Sequence, residues 1–191
     1  IRHRCAHTTI PGPSSIEEEG RSNARLRRGW THRSNQAVKI AVVAIGRLAR
    51  SPETELVKLY VDRATAAGRA LSLGPVEVVE VESRKPGKAA EAEALRPHFA
   101  DSHVIACDER GRARASRAFA EEIAGLRDRG ARRLVFVIGG ADGLDPALVA
   151  QAQGTLAFGP QTWPHALARV MLGEQIYRAV SILGGSPYHR D

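Results

Sequence analysis

Two strand-to-loop junctions near the carboxyl end decide the fold of this chain. The first reads Leu134-Val-Phe-Val-Ile-Gly-Gly-Ala-Asp-Gly-Leu-Asp-Pro146, and the second reads Thr155-Leu-Ala-Phe-Gly-Pro-Gln-Thr-Trp-Pro-His165. In each, an apolar run stops at glycine, and a proline then opens a helix. Ligands of open α/β sheets bind outside the carboxyl ends of strands, so these junctions are the first candidates for a functional site.

The same alternation of strand and helix occurs five times from Val38 onward. The predicted strands cover residues 38–45, 76–81, 103–107, 133–138 and 155–158. The predicted helices cover residues 52–67, 89–99, 116–129, 146–152 and 164–183, with Ser51, Ser116 and Asp145 as caps. Because the strand runs are too continuously apolar for a half-exposed sheet, we expect an α/β fold with a mainly parallel sheet and helices on both faces.

The first 36 residues differ from the rest in composition. They contain seven arginines and three glutamates, which is +4 of the net charge of +7, and they show no hydrophobic period. Too little apolar surface is present to offset the entropy of ordering the backbone. Residues 1–36 are therefore predicted to be a disordered basic extension, with an alternative in which the native product begins near Val38, and residues 37–191 to be the folded domain.

Composition also restricts the class of protein and its compartment. The chain has two cysteines, Cys5 and Cys107, too few for a disulfide scaffold, and no apolar run near the roughly 20 residues that span a bilayer. The seven histidines are scattered and no Cys-x-x-Cys or His-Glu-x-x-His occurs. A cytoplasmic protein without a metal site or a membrane partner is expected.

Each candidate motif has a structural and a functional interpretation. The glycines at 139, 140 and 143 fit a tight turn and a ligand loop equally well, since they match neither dinucleotide nor Walker spacing. The 158–163 loop suits an adenine ring, with flat apolar walls and free main-chain groups, or is a structural connection with Trp163 in the core. Glu174 and Arg178 fit a surface ion pair. By composition, the last residues from Tyr188 form a frayed tail.

Taken together, these pieces resemble one family. The matching segments are Phe-Val-Ile-Gly-Gly-x-x-Gly-Leu at 136–144, Thr-Trp-Pro-His at 162–165, Arg169, Glu-Gln-x-Tyr-Arg-Ala at 174–179 and Pro-Tyr-His-Arg at 187–190. They are similar to the bacterial RlmH-type enzymes, the ribosomal large-subunit pseudouridine N3-methyltransferases of the SPOUT class. The resemblance covers about residues 38–191.

The resemblance implies a SPOUT fold with a carboxyl-terminal trefoil knot, a homodimer, and 23S rRNA within the ribosome as the substrate. It implies S-adenosylmethionine as the methyl donor. By position, the donor contacts fall on Cys107, Gly139, Phe158, Gly159, Pro160, Gln161, Thr162 and Trp163. The catalytic roles fall on Tyr188, His189, Arg190 and Arg178. His189 would accept the ring proton, Tyr188 would bind the ring, and the arginines would hold phosphates or ring oxygens.

Two other functions compete with methyl transfer. A knotted protein without catalysis would act as a ribosome-binding or assembly factor, and the intact Tyr-His-Arg terminus argues against it. A nucleotide- or flavin-binding enzyme is also compatible with an α/β fold, and the missing phosphate-loop patterns argue against that class.

Overall fold

A five-stranded parallel sheet forms the centre of the structure, a computed structural model that describes residues 36–189. The strand order is β2-β1-β4-β3-β5. The strands are β1 (Val38–Ile45), β2 (Leu73–Val81), β3 (His103–Cys107), β4 (Arg133–Ile138) and β5 (Gly154–Leu156). The basic extension predicted at the start of the chain lies outside the described residues, apart from Gln36.

Five α-helices connect or follow these strands. They are α1 (Pro52–Gly68), α2 (Lys88–Leu95), α3 (Ser116–Asp128), α4 (Pro146–Gln151) and α5 (His165–Leu183), with 3₁₀ turns at Arg69–Leu71 and Arg96–Phe99. The predicted caps Ser51 and Asp145 are confirmed, since their side chains accept backbone N–H groups of the first helical turn. The prediction for Ser116 is wrong, because Ala115 occupies that position and the Ser116 hydroxyl lies 3.0 Å from Gln175 Oε1.

Alternate residues of the central strands separate two apolar cores. From β1 and β4, Ile40, Val42, Leu134 and Phe136 pack in one core with residues of α1, α3 and α5. Their neighbours Ala41, Val43, Val135 and Val137 pack in the other core with residues of α2 and α4. Because successive side chains of a strand point to opposite faces, helices cover both faces of the sheet, which confirms the predicted fold class.

A buried arginine fixes α5 to the sheet. The Arg169 side chain is 0% exposed, and its Nη1 donates to Glu80 Oε1 at 3.0 Å. Its Nη2 donates to the carbonyl oxygens of Ile45 (2.5 Å) and Gly46 (2.8 Å), where β1 ends. Burial lowers the pKa of the Arg169 guanidinium, and the charge of Glu80 opposes that shift. The helix is thus tied to the carboxyl ends of β1 and β2.

Within residues 36–189, none of the helices combines the length and the apolar character that crossing a membrane requires. The threading of the carboxyl end into a trefoil knot stays a prediction of the resemblance.

We expect Arg169→Met to lower the free energy of unfolding by about 3 kcal/mol, because two strand-end carbonyls and Glu80 lose a charged donor. Urea unfolding of the full chain, followed by circular dichroism, measures this change. Arg132→Met is the control, since Arg132 is exposed; it should change stability by less than about 0.5 kcal/mol. Equal losses in the two variants would contradict the anchoring role of Arg169.

Candidate active site

A cavity of about 1090 Å³ opens at the carboxyl ends of β3, β4 and β5. Three loops form its wall: residues 108–111 after β3, residues 139–144 after β4, and the connection from β5 to α5. Two backbone hydrogen bonds join the loops after β3 and β5: Asp108 N donates to Leu156 O (3.0 Å), and Ala157 N donates to Arg112 O (3.2 Å). The parallel arrangement of the strands therefore brings the two sequence motifs together at one site.

The glycine loop after β4 is a tight turn that also lines the cavity. A Cβ atom on Gly139 would lie 2.6 Å from the carbonyl carbon of Gly143, so no side chain fits there. Gly143 adopts φ +80° and its N–H donates to Gly140 O at 3.0 Å. The loop is therefore a turn that requires glycine and that forms part of the cavity wall; ligand binding by the loop stays a prediction.

The connection from β5 to α5 supplies the opposite wall. Phe158, Gln161, Thr162 and Trp163 line the cavity, whereas Gly159 lines a neighbouring groove and Pro160 lines neither. Trp163 is 41% exposed, so the alternative that placed it in the core is wrong. β5 itself ends at Leu156 rather than at the predicted residue 158, because its partner strand β3 ends at Cys107, the residue paired with Leu156.

Cys107 ends β3 at the floor of the cavity. It packs against the apolar core that contains α5, and it also lines the cavity. Burial raises the pKa of the Cys107 thiol to about 12, and the charge of Asp108 adds to the shift. At neutral pH the side chain is therefore a small apolar thiol, suited to contact a ligand by packing rather than by nucleophilic attack.

Sequence reasoning missed the acidic side chains of the cavity. Asp108, Glu109 and Asp142 line it, together with the basic residues Lys88 and Arg110. Thr162 Oγ1 donates to Glu109 Oε2 at 2.6 Å, which links the loops after β3 and β5 across the cavity. Their position directly after strands β3 and β4 is the signal that could have identified Asp108, Glu109 and Asp142.

Tyr188 and His189, the described part of the tail, pack on α5 and are not frayed as composition predicted. The rings of Tyr188 and Tyr177 lie 4.6 Å apart, and the Arg178 guanidinium lies 5.0 Å above the Tyr188 ring. Tyr188 Oη donates to Glu174 Oε1 at 3.1 Å. Burial and this hydrogen bond raise the pKa of Tyr188 to about 12. The hydroxyl is therefore protonated at neutral pH and acts as a donor.

Glu174 organises this terminal cluster, which we define as Glu174, Arg178, Tyr188 and His189. Besides the tyrosine hydroxyl, its carboxylate accepts Arg178 Nε (2.9 Å), Arg178 Nη2 (2.5 Å) and Gln175 Nε2 (2.7 Å). The pair Glu174–Arg178 is half-buried, so it is more than the surface ion pair that spacing alone suggested. Arg190 lies outside the described residues.

Arg178 also decides which nitrogen of His189 carries a proton. Its Nη1 lies 3.3 Å from His189 Nδ1. Because a guanidinium has donors and no acceptor, Nδ1 must accept, and a neutral His189 then carries its proton on Nε2. In this arrangement the acceptor nitrogen of His189 faces Arg178.

The structure keeps the two groups of candidate residues apart. Among residues 36–189, the members of the terminal cluster do not line the cavity. Glu174 instead lines the neighbouring groove of about 490 Å³, together with Phe158 and Gly159. The connection from β5 to α5 is therefore the wall shared by the cavity and the groove. In the same part of the chain, no group of three or more side chains is arranged to hold a metal ion.

We expect Cys107 to react slowly with iodoacetamide in a Cys5→Ser background. With a thiol pKa of about 12, alkylation at pH 8 should be on the order of a thousandfold slower than for an ordinary exposed cysteine, and should rise about tenfold per pH unit up to pH 11. Mass spectrometry measures the rate. The same chain in 6 M urea is the control and should react normally; a rate that levels off near pH 8–9 in the folded protein would contradict the raised pKa.

Comparison with known proteins agrees with this architecture. A family model described as a predicted SPOUT methyltransferase matches residues 38–189. Over 154 residues the chain is 84% identical to ribosomal RNA large subunit methyltransferase H of Phenylobacterium zucineum strain HLK1, and 67% identical to the protein of the same name from Caulobacter sp. strain K31. Each alignment covers 81% of this chain and 100% of the relative.

Similarity to solved structures is weaker. A probable methyltransferase from Bordetella pertussis Tohama I aligns with a TM-score of 0.46 at 17% identity, over 75% of this chain and 96% of that one. A structural similarity of that size supports no conclusion about the site. The family match, in contrast, spans both strand-to-loop junctions and the terminal cluster. The chain belongs to the SPOUT methyltransferase family.

Proposed function

We propose that this protein transfers a methyl group from S-adenosylmethionine to N3 of a pseudouridine in 23S rRNA, on the assembled ribosome. Methyl transfer is the activity of the family, and S-adenosylmethionine is its donor. The observation that carries the proposal is the glycine-walled cavity at the carboxyl ends of β3, β4 and β5, formed by the motifs that match the family. The choice of base and of the assembled ribosome rests on the resemblance of the last sixty residues. The proposed substrate places the enzyme in the cytoplasm.

The cavity suits the donor in shape and in charge. Gly139 leaves no room for a side chain, so a ligand meets main-chain atoms of the turn. Phe158 and Trp163 provide apolar walls for an adenine ring, and Cys107 provides a small apolar contact. S-adenosylmethionine is a cation at neutral pH, and Asp108 and Asp142 favour a positive charge in the cavity. These residues would hold the donor.

The chain has to align the two reactants and remove one proton. A methyl group on a sulfonium is already activated, so the main contribution of the protein is orientation. Arg178 can stabilise negative charge that develops on the ring. Tyr188 can donate a hydrogen bond to a ring oxygen once its hydroxyl leaves Glu174 Oε1. For His189 to accept the N3 proton, its Nδ1 has to leave Arg178, since Nε2 carries hydrogen in the packed arrangement. Arg190 is assigned to a phosphate or a ring oxygen by resemblance.

The separation of the cavity from the terminal cluster supports a homodimer. A second copy could place its terminal cluster at the cavity of the first. Three exposed leucines, Leu56 and Leu59 on α1 and Leu167 on α5, lie on helices that pack against each other, and Trp163 precedes α5. Exposed large apolar side chains on adjacent helices are typical of a protein–protein interface. We therefore assign this surface to the contact between two copies.

The methyl-transfer test uses ribosomes from a strain that lacks this protein. The full chain with S-adenosylmethionine should add one methyl group to one pseudouridine of the large-subunit RNA, detected by mass spectrometry. Deleting residues 188–191 should lower the rate constant by about 100-fold or more, because ring-binding and proton-accepting groups are lost. Donor binding, measured by calorimetry, should stay within about twofold, since the roles assigned to Tyr188 and His189 are contacts with the RNA base rather than with the donor.

Two outcomes would contradict this assignment in different ways. Full methylation by the shortened chain would remove the terminal residues from catalysis and leave the activity in place. Ribosome binding without any methyl transfer by the intact chain would reject the activity and favour the non-catalytic assembly factor.

We expect the protein to sediment at twice its chain mass of 20.6 kDa. Leu59→Asp combined with Leu167→Asp should give the monomer, because two charges would be buried in the contact. Analytical ultracentrifugation measures the mass. The control is Lys39→Asp combined with Arg132→Asp, which should remain dimeric. Both residues lie at the amino-terminal ends of their strands, β1 and β4. A monomeric wild-type protein at micromolar concentration would overturn the assignment of this surface.

A further inference from the structure

We propose that the loop between β2 and α2 contacts the phosphate backbone of the RNA that is methylated. This inference rests on the proposed function and adds a substrate-binding surface to it. We refer to residues 83–88, Ser-Arg-Lys-Pro-Gly-Lys, as the basic loop; its last residue, Lys88, is also the first residue of α2. Arg84, Lys85 and Lys88 are its charged residues, and all three are exposed.

The acidic residues that flank the basic loop are engaged elsewhere. Glu82, before the loop, pairs with Arg47 at 3.1 Å. Glu91, after the loop, directs its Oε2 to the N–H of Gly140 at 3.4 Å. Across residues 36–189, no ion pair is recorded for Arg84, Lys85 or Lys88. Three positive charges within five residues thus lack a counter-charge from the described part of the chain.

The fold places the basic loop at the rim of the donor cavity. The loop follows β2, and in a parallel sheet it lies at the same edge as the loops after β3, β4 and β5. Lys88 lines the cavity. One turn further along α2, the Glu91 carboxylate is so close to the glycine turn that a Cβ on Gly140 would lie 2.7 Å from it. The start of α2 is therefore held against the cavity wall, and Arg84 and Lys85 lie on the segment that leads to it.

Charge and position together identify the partner as RNA. Like charges a few residues apart repel, and an anion that neutralises them removes that repulsion. Phosphates attract Lys and Arg regardless of base sequence, and their neutralisation releases bound counterions. A base that reaches the donor leaves the phosphates of its own strand outside the cavity, where the basic loop lies. An anionic membrane or an acidic protein would also attract the positive charges, but neither contains a base that must enter the donor cavity.

The test measures binding of the full chain to ribosomes between 50 and 300 mM KCl. Arg84→Gln combined with Lys85→Gln should make the slope of log affinity against log salt shallower by about 1.5, because each lost phosphate contact removes roughly 0.7–0.9. The dissociation constant at 100 mM KCl should rise about tenfold or more. Lys88→Gln should reduce the slope by roughly a further 0.7–0.9.

The control removes the same charge from the opposite edge of the sheet. Arg96 and Arg132 are exposed and precede β3 and β4. Arg96→Gln combined with Arg132→Gln should leave the salt slope within about 0.3 of wild type. Equal slopes for the two double variants would overturn the proposal, because only net charge would then matter. A weaker affinity with an unchanged slope would also overturn it, since the loop would then contact a protein rather than phosphate.

This measurement is independent of turnover. If the wild-type chain binds ribosomes but does not methylate them, the proposed function fails while the salt slopes still test the basic loop. If methylation is normal and the loop variants keep the wild-type slope, the basic loop is rejected and the proposed function stands.

Discussion

The contact of Arg169 with the ends of β1 and β2 is the constraint on which the rest of the site depends. A fully buried guanidinium is costly unless its charge is matched, and here Glu80 and two strand-end carbonyls accept hydrogen bonds from Nη1 and Nη2, whereas Nε is buried without a partner in the described part of the chain. This arrangement fixes both the height and the rotation of α5 on the sheet. The residues before α5 form a wall of the cavity, and its later turns carry the terminal cluster, so both depend on one anchored helix.

The position of α5 also separates the cavity from the terminal cluster. The amino-terminal end of α5 belongs to the cavity that suits a cationic donor, whereas Glu174, farther along, lines a different groove and binds Tyr188 and Arg178. Within one chain the cavity and the candidate acid–base groups do not meet. In the proposed dimer a contact between two copies would bring them together, and the exposed leucines of α1 and α5 would then help to form the site.

Sequence reasoning succeeded where a local signal sufficed. The continuously apolar β1, β3 and β4 were predicted with their observed bounds, because few other structures bury every residue of such a run. It failed at Ser116, whose hydroxyl bonds Gln175, 59 residues away, instead of capping α3. The composition-based prediction of a frayed tail also failed for Tyr188, since nothing in the neighbouring sequence indicates that the Glu174 carboxylate, 14 residues earlier, will accept a hydrogen bond from its hydroxyl. Both errors concern partners that are remote in sequence.

The sequence by itself determined the fold class, the two strand-to-loop junctions and, through its motifs, the family. Those properties depend on the period of apolar residues and on glycine and proline at fixed positions, which act over a few residues. Only the tertiary structure decided that Asp108, Glu109 and Asp142 line the cavity, that Arg178 directs the proton of His189 to Nε2, and that the basic loop lies at the cavity rim. The physical reason is that charge and hydrogen bonding act through space, between residues that the parallel strands bring to one edge.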